Sequence, residues 1–289
     1  MYLSSLIREA YEKDGIVVAY IYGAMGHGKT SYAFWTAYEV LGSWDKVLKY
    51  TFFDMNEAIE TMWRHIDKGS RLKIMIFDDA GFWLNRLTWW REEKVKFMEL
   101  FNLARTIAAG ILFTTPSEEI PRQLMNKCNY RVNVRPLERS EVEASESARE
   151  VLEVAAKYKL EGGGVAVAKG YQLVMLPSFL KIVRKEYIDY YPLWYPIYER
   201  YMKVRMSHIK RRLRELREGM TKSREEIFEE AVELYKKTGD SRLVYQHLKK
   251  LVPQQTAHRW AFYKIPSIVK LEGSSNTKTE TSPPRQQST

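Results

Sequence analysis

The chain has 289 residues, 45% of them hydrophobic, enough to bury a proper core in one large α/β domain with a smaller partner domain. Its single cysteine, Cys128, excludes an internal disulfide framework and a cysteine-rich zinc site. That fits a reducing, cytoplasmic setting, and with no basic leader and no uninterrupted run of about 18 apolar residues, neither export nor membrane spanning is expected. The net charge of +10 is uneven: residues 1–136 hold 18 Lys and Arg against 16 Asp and Glu, and residues 137–289 hold 28 against 20. The second half therefore either meets a polyanionic partner or carries a solvated basic surface.

In chain order, apolar positions at 3, 6, 7 and 10 predict a short amphipathic helix, followed by an apolar strand at 16–22. A Gly-rich segment then opens a helix running to about Leu41. A β-rich run at 47–53, a helix at 56–68 and the strand Leu72–Asp78 continue the alternation. Beyond them come a helix at 92–109, a strand Ile111–Thr115, a short helix at 120–126 and a strand Tyr130–Val134. This order predicts a five-stranded parallel P-loop sheet with helices on both faces, over residues 1–140. A connector at 141–220 is expected to hold a charged helix at 137–160 and a hairpin of 165–168 with 171–176, turned at Lys169-Gly170. A helical, tyrosine-rich stretch from Pro177 to Gly219 completes it. Its tyrosines, Tyr187 to Tyr201, read as packing or a subunit contact before they read as a base-stacking platform. Residues 221–267 read as a small three-helix domain, and residues 273–289, rich in Ser, Thr, Pro and Gln, as a disordered tail.

The chemistry begins at Gly23-Ala-Met-Gly-His-Gly-Lys-Thr30. Between a strand and a helix, such a loop wraps backbone N–H groups around phosphate oxygens. Lys29 would reach the β- and γ-oxygens, and Thr30 would ligate Mg2+. The nucleotide-binding set is Gly23, Ala24, Met25, Gly26, His27, Gly28, Lys29, Thr30 and Ser31, with ATP or GTP as ligand, ATP being the working choice, and His27 as a tolerated variable position. The strand Ile74-Met-Ile-Phe followed by Asp78-Asp79 would supply the second metal ligand, Asp78, and the group that orients and deprotonates the attacking water, Asp79. At the end of Ile111–Thr115, Thr114 or Thr115 is the sensor candidate, Thr115 being preferred. Transition-state charge needs a further cation from this or a neighbouring subunit. Arg105, Arg122, Lys127 and Arg131 lie in the right stretch, with Arg105 and Lys127 carried forward. The loop 81–91, with three tryptophans and two arginines, either covers the sheet edge or touches DNA or a neighbouring subunit.

The order GAMGHGKT, IMIFDD, ILFTTPS and IPRQLMNKCNYRVNVRPL resembles the ATPase core of the AAA+ class, in particular helicase loaders and DnaA-like initiators. The likeness covers roughly residues 16–140 and is specific in its first two motifs. It implies oligomerisation. Where relatives end the post-sensor helix in an arginine finger, this chain has Lys127. The tract Asp78-Asp-Ala-Gly-Phe-Trp, the pair Ala-Arg105 and Leu-Phe-Thr-Thr115 also resemble DNA-packaging and translocating ATPases, which place glutamine near the position of Thr115. ATPases of this mixed look are similar to ones carried by archaeal viruses and plasmids.

Near the C-terminus, Ser223-Arg-Glu-Glu226 reads as a capping box opening a helix with Ile227, Ala231 and Leu234 on one face. A second helix follows Gly239, with Leu243, Val244 and Leu248 as core contacts. Pro253 starts a third helix, anchored by Trp260. The spacing resembles a homeodomain-like or resolvase-like helix-turn-helix over about residues 223–265. In that geometry Gln254, Gln255, His258 and Arg259 face the major groove; a three-helix lid or oligomerisation bundle is the other reading. Together these features point to a DNA-dependent, Mg2+-dependent ATPase. It would act on double-stranded DNA as a homo-oligomer in replication initiation or helicase loading, with a helicase or other replication protein as a further partner. The alternatives are a packaging or translocating motor and an ATP-gated transcription regulator.

Overall fold

The computed structural model describes residues 1–83, 97, 99, 101–116, 122–158, 164–176, 181–221 and 224–275. The expected tryptophan-rich loop beyond Trp83, the Ser223 cap and the tail beyond Ser275 lie outside the described residues. The chain divides into two units, Met1–His208 and Ile209–Thr289. Among the described residues, no helix is long and apolar enough to cross a membrane.

The first unit is built on one sheet. Its strands are β1 (Val17–Tyr22), β2 (Thr51–Phe52), β3 (Leu72–Phe77), β4 (Ala108–Thr115), β5 (Tyr130–Pro136), β6 (Val165–Met175) and β7 (Lys181–Pro192), in the order β2-β3-β4-β1-β5-β6-β7. The first five pair in parallel, with Val18 opposite Ile111, Ile76 opposite Leu112 and Ile21 opposite Val132. The runs in β1, β3 and β4 are buried with almost no alternation, as strands covered on both faces require. On one face lie α1 (Tyr2–Glu12), α2 (Lys29–Leu41) and α3 (Trp44–Lys49), whose buried residues Ile7, Phe34 and Val47 share a cluster with Ile21, Ile74 and Val132. On the other, α4 (Met55–Asp67) and the short helices α6 (Ala104–Ile107) and α7 (Arg122–Lys127) pack Met62, Ala104 and Leu124 against Phe77 and Phe113. The four-residue helix α5, Ala80–Trp83, follows the acidic pair directly.

The sheet has seven strands rather than five. β6 pairs antiparallel with β5, Val134 opposite Ala168, and β7 pairs antiparallel with β6, Gly170 opposite Tyr187. No turn occurs at Lys169-Gly170, and residues 181–192 are a strand rather than part of a helix. The deciding signal is period two: Tyr187, Asp189 and Tyr191 are buried while Ile188 is exposed. Gly170 sits inside the strand because a Cβ there would lie 2.0 Å from the Tyr187 ring, so only glycine lets that ring cross. The tyrosine run is packing, with Tyr187, Tyr191, Tyr195 and Tyr201 in the α2-side core. Two smaller expectations also change. The run 47–53 opens as the end of α3, which Ser43 caps by accepting from Lys46 N at 3.4 Å, and only Thr51–Phe52 of it is strand. The charged helix at 137–160 is two, α8 (Arg139–Ala144) and α9 (Glu146–Lys157), parted at Ser145, whose hydroxyl accepts from Ala148 N at 3.3 Å.

Asp189 ties the hairpin to the helices. Its carboxylate accepts from Tyr2 N at 2.7 Å and from the Tyr32 hydroxyl at 2.8 Å, in a site where Asp189 is 6% exposed and Tyr32 fully buried. Replacing it by alanine strands both donors, at about 1–3 kcal/mol each. Asp189→Ala is expected to lower the melting temperature of the first unit by roughly 5–12 °C. A calorimetric scan that superposes on the wild type would refute this anchoring role.

The second unit holds α11 (Arg224–Thr238), α12 (Ser241–Leu248) and α13 (Gln254–Arg259), the last continuing through a π turn, Trp260–Lys264, into α14 (Ile265–Ser275). Helix α10, Tyr198–Thr221, spans the division between the units. Asp240 caps α12 by accepting from Arg242 N at 2.7 Å. The core is small: Ile227, Ala231, Val244, Leu248, Ala257, Trp260, Ala261 and Ile265.

Candidate nucleotide site

At the C-terminal edge of the parallel strands, the loop Gly23–Gly28 leads from β1 into α2. Gly28 is the N-cap with φ 84°, ψ 23°, a left-handed conformation that glycine adopts without strain. A Cβ at Gly28 would also lie 2.7 Å from Leu193. The first helical bond is Tyr32 N to Gly28 O, 2.9 Å, so the amides of the preceding turn lack an acceptor within their own helix. They stand at the positive end of a 13-residue helix. The floor comes from the hairpin, with the Tyr191 hydroxyl donating to Gly28 O at 3.2 Å and the Ser31 hydroxyl to Leu193 O. Ser31 is thus a tie beneath the loop, whereas Met25 stands 85% exposed at its tip. His27 N closes the turn on Ala24 O at 3.2 Å.

Lys29 is 8% exposed and donates to Gly23 O at 2.9 Å and Ala24 O at 2.8 Å. Burial depresses its pKa against the opposing pull of Asp79 and Asp78. An ammonium lodged among neutral carbonyls at the mouth of an amide-lined loop is the electrostatic complement of a phosphate. Asp78, fully buried, collects three hydroxyls: Thr30 at 2.9 Å and Thr114 at 2.6 Å on Oδ1, and Tyr201 at 2.6 Å on Oδ2. Asp79 holds φ at 49°, its amide donates to Thr114 Oγ1 at 3.0 Å, and its carboxylate pairs with Arg205. Desolvation, then the neighbouring Asp78, raises the Asp79 pKa, with Arg205 opposing.

The donor set fits Mg2+ and a triphosphate. The Thr30 hydroxyl and Asp78 carboxylate are hard oxygen ligands already in contact. Among the described residues no group of three or more His, Cys, Asp or Glu gathers to hold a metal. Such a site matches an ion that takes one carboxylate and completes its shell with phosphates and water.

The structure brings together Lys29, Thr30, Asp78, Asp79 and Thr114. Insertion of β4 between β1 and β3 sets Thr114 beside the acids. Thr115, the preferred sensor, lies on the other face of its strand and packs by its hydroxyl against Gly81, where a Cβ would lie 2.5 Å away; Thr114 donates to Asp78 and accepts from the Asp79 amide. Arg105 and Lys127 do not join this site. Arg105 precedes β4, at the opposite sheet edge, where its carbonyl accepts from Arg71 Nε at 2.9 Å. Lys127 precedes β5 and donates to Asn102. Tyr201 reads in the sequence only as packing and Arg205 belongs to no motif; the spacing of four on a helix is their one signal as site residues. In the second unit Gln255, His258 and Arg259 are exposed on α13, while Gln254 Nε2 donates to the Tyr245 hydroxyl at 3.1 Å.

No family model matches the chain. Over 125 residues, 40% of this chain and 50% of the relative, it is 38% identical to the uncharacterized protein B-251 of Sulfolobus spindle-shape virus 1. Over 122 residues, 41% of this chain and 42% of the relative, it is 27% identical to the uncharacterized protein ORF286 of Acidianus two-tailed virus. This chain is similar to proteins of archaeal viruses. It spans about half the length of the curated relatives it matches. Among solved structures, the genome packaging NTPase B204 of Sulfolobus turreted icosahedral virus 2 superposes with a TM-score of 0.34 in its complex with AMPPCP, at 12% identity over 59% of this chain and 97% of that one. Its complex with AMP gives 0.33 at 11% identity over 59% of this chain and 98% of that one.

Proposed function

We propose that the chain is a magnesium-dependent ATPase of an archaeal virus that works on double-stranded DNA as an oligomeric packaging or translocating motor. The observation carrying this reading is the convergence of Lys29, Thr30, Asp78, Asp79 and Thr114 at one edge of the sheet. Lys29 and the first amides of α2 would hold the phosphates, and Thr30 with Asp78 would hold Mg2+. When bound, the metal neutralises charge on the phosphoryl oxygens. Asp79 would take the proton of the attacking water, and Thr114 keeps both acids in place.

The motor reading replaces replication initiation as the first choice. The initiator likeness is specific only in the two motifs that every P-loop reading shares. The packaging likeness rests on the tract from Asp78 to Trp83, the pair Ala104-Arg105 and Leu112–Thr115; Gly81 against Thr115 joins the first and last of these.

For the second unit we propose a helix-turn-helix role, with Gln255, His258 and Arg259 on duplex DNA. Changing Arg259 and Gln255 together to alanine is expected to weaken duplex affinity at least ~10-fold, the scale of one lost base or phosphate contact, with the basal ATPase rate unchanged. The deciding assay measures ATP hydrolysis against linear duplexes of increasing length and unrelated sequence, alongside molecular mass with ATP and Mg2+. A motor turns over faster on longer duplex whatever its sequence. Turnover indifferent to duplex length, with nucleotide-dependent binding to one sequence, would reject the motor in favour of a gated regulator.

A further inference from the structure

We propose that Arg205 is the same-chain cation of the hydrolytic site, held on Asp79 in the free protein and transferred to the γ-phosphate when the triphosphate is bound. This rests on the ATPase reading above. Helix α10 presents Tyr201 and Arg205 one turn apart: the Tyr201 hydroxyl meets Asp78 Oδ2 at 2.6 Å, and Arg205 Nη2 donates to Asp79 Oδ2. The guanidinium carbon lies 5.9 Å from the centroid of the Tyr201 ring, which fixes the approach of the cation. Its charge reaches Lys29 as well, as one of the influences lowering the lysine's pKa. Two cations from distant parts of the chain thus converge beside one acidic pair.

A guanidinium has five N–H donors in a fork. In Arg205 the Nε–H is buried with no acceptor among the described residues, so the group holds donor capacity that Asp79 does not use. It is not sealed in: the side chains of Arg205 and Asp79 are 33% and 35% exposed. Two of the candidate cations, Arg105 and Lys127, lie at the opposite edge of the sheet.

During hydrolysis the water oxygen bonds to the γ-phosphorus as the bond from that phosphorus to the β–γ bridging oxygen breaks. ADP leaves with the bonding pair, and the water proton passes to Asp79. Charge gathers on the γ-phosphoryl and bridging oxygens, where a guanidinium is the strongest protein-borne partner. Transfer of Arg205 to these oxygens also uncovers the Asp79 oxygen that it covers in the free protein.

The test uses the full chain with Mg2+, comparing wild type, Arg205→Ala and Arg205→Lys in kcat, KM, ADP affinity by calorimetry and capture of ADP with aluminium fluoride. Loss of an activating arginine is worth about 10³ in turnover or more. The expected result for Arg205→Ala is a kcat at least ~100-fold down, ADP affinity within about threefold of wild type, and no aluminium fluoride capture. Arg205→Lys, which keeps the charge but loses the fork, should recover part of both. Turnover by Arg205→Ala at or above the wild-type rate would make the contact an inhibitory latch and overturn the proposal. So would loss of ADP binding in both variants, which marks a structural tie. A wild-type protein that neither binds nor hydrolyses ATP defeats the ATPase reading along with this one, whereas an active wild type matched by Arg205→Ala defeats this one alone.

Discussion

Lys29→Met is expected to lose nucleotide affinity by about 10²–10³-fold, within the roughly 2–5 kcal/mol that truncating one partner of a buried hydrogen-bonded charge pair costs, while the melting temperature of the free protein stays within about 3 °C of wild type. The two halves of this expectation have different origins. The affinity loss follows from position, since the ammonium sits at the mouth of the loop, donating to Gly23 O and Ala24 O. The unchanged stability follows from burial: the charge is desolvated, and its partners are backbone carbonyls of its own loop. An apolar chain of similar length removes a desolvation cost together with two hydrogen bonds. Isothermal titration with Mg2+ and a non-hydrolysable ATP analogue, paired with a thermal scan, checks both. Retained affinity would show that the loop does not hold phosphate, and the ATPase reading would fall with it. Substituting Asp78 is a poorer probe, because Thr30, Thr114 and Tyr201 all donate to it. Its removal strands buried hydroxyls and mixes stability with chemistry.

Trp260→Ala is expected to unfold the second unit. The indole packs edge-on against Phe228 with ring centroids 4.9 Å apart and belongs to a core of eight buried residues. Truncating a buried tryptophan costs about 3–5 kcal/mol, as much as a single core of this size supplies in total, about 3–5 kcal/mol. The helical signal of α11 to α14 should melt out at 25 °C and duplex DNA affinity should disappear, while the affinity for Mg2+ and nucleotide stays within about twofold. Circular dichroism with DNA and nucleotide titrations on the same preparation tests this. Undiminished DNA binding would move the DNA-contacting surface away from α13.

The glycine loop before α2 and the acidic strand were legible because each is short and contiguous, with its pattern written in adjacent residues. Gly28 needs a left-handed turn, Lys29 and Thr30 follow it at once, and four apolar residues announce Asp78. The parallel strands were legible for a similar reason, since strands buried on both faces read as unbroken apolar runs. The small C-terminal helices were marked by Gly239, Asp240 and Pro253. The hairpin was misread because its aromatic residues are dense enough to satisfy either period. Only pairing with β5, and the passage of Tyr187 over Gly170, selects the strand.

What the sequence determined by itself is the glycine loop between strand and helix, the paired acids and the α/β alternation, since these depend on interactions among near neighbours in the chain. The tertiary structure alone set Thr114 against both acids, by fixing which face of its strand that residue occupies. It also placed Tyr201 and Arg205 on Asp78 and Asp79, across 123 and 126 residues of chain. No local pattern encodes such a contact: it exists because the antiparallel hairpin extends the sheet and the chain returns through α10 to the edge where the parallel strands end.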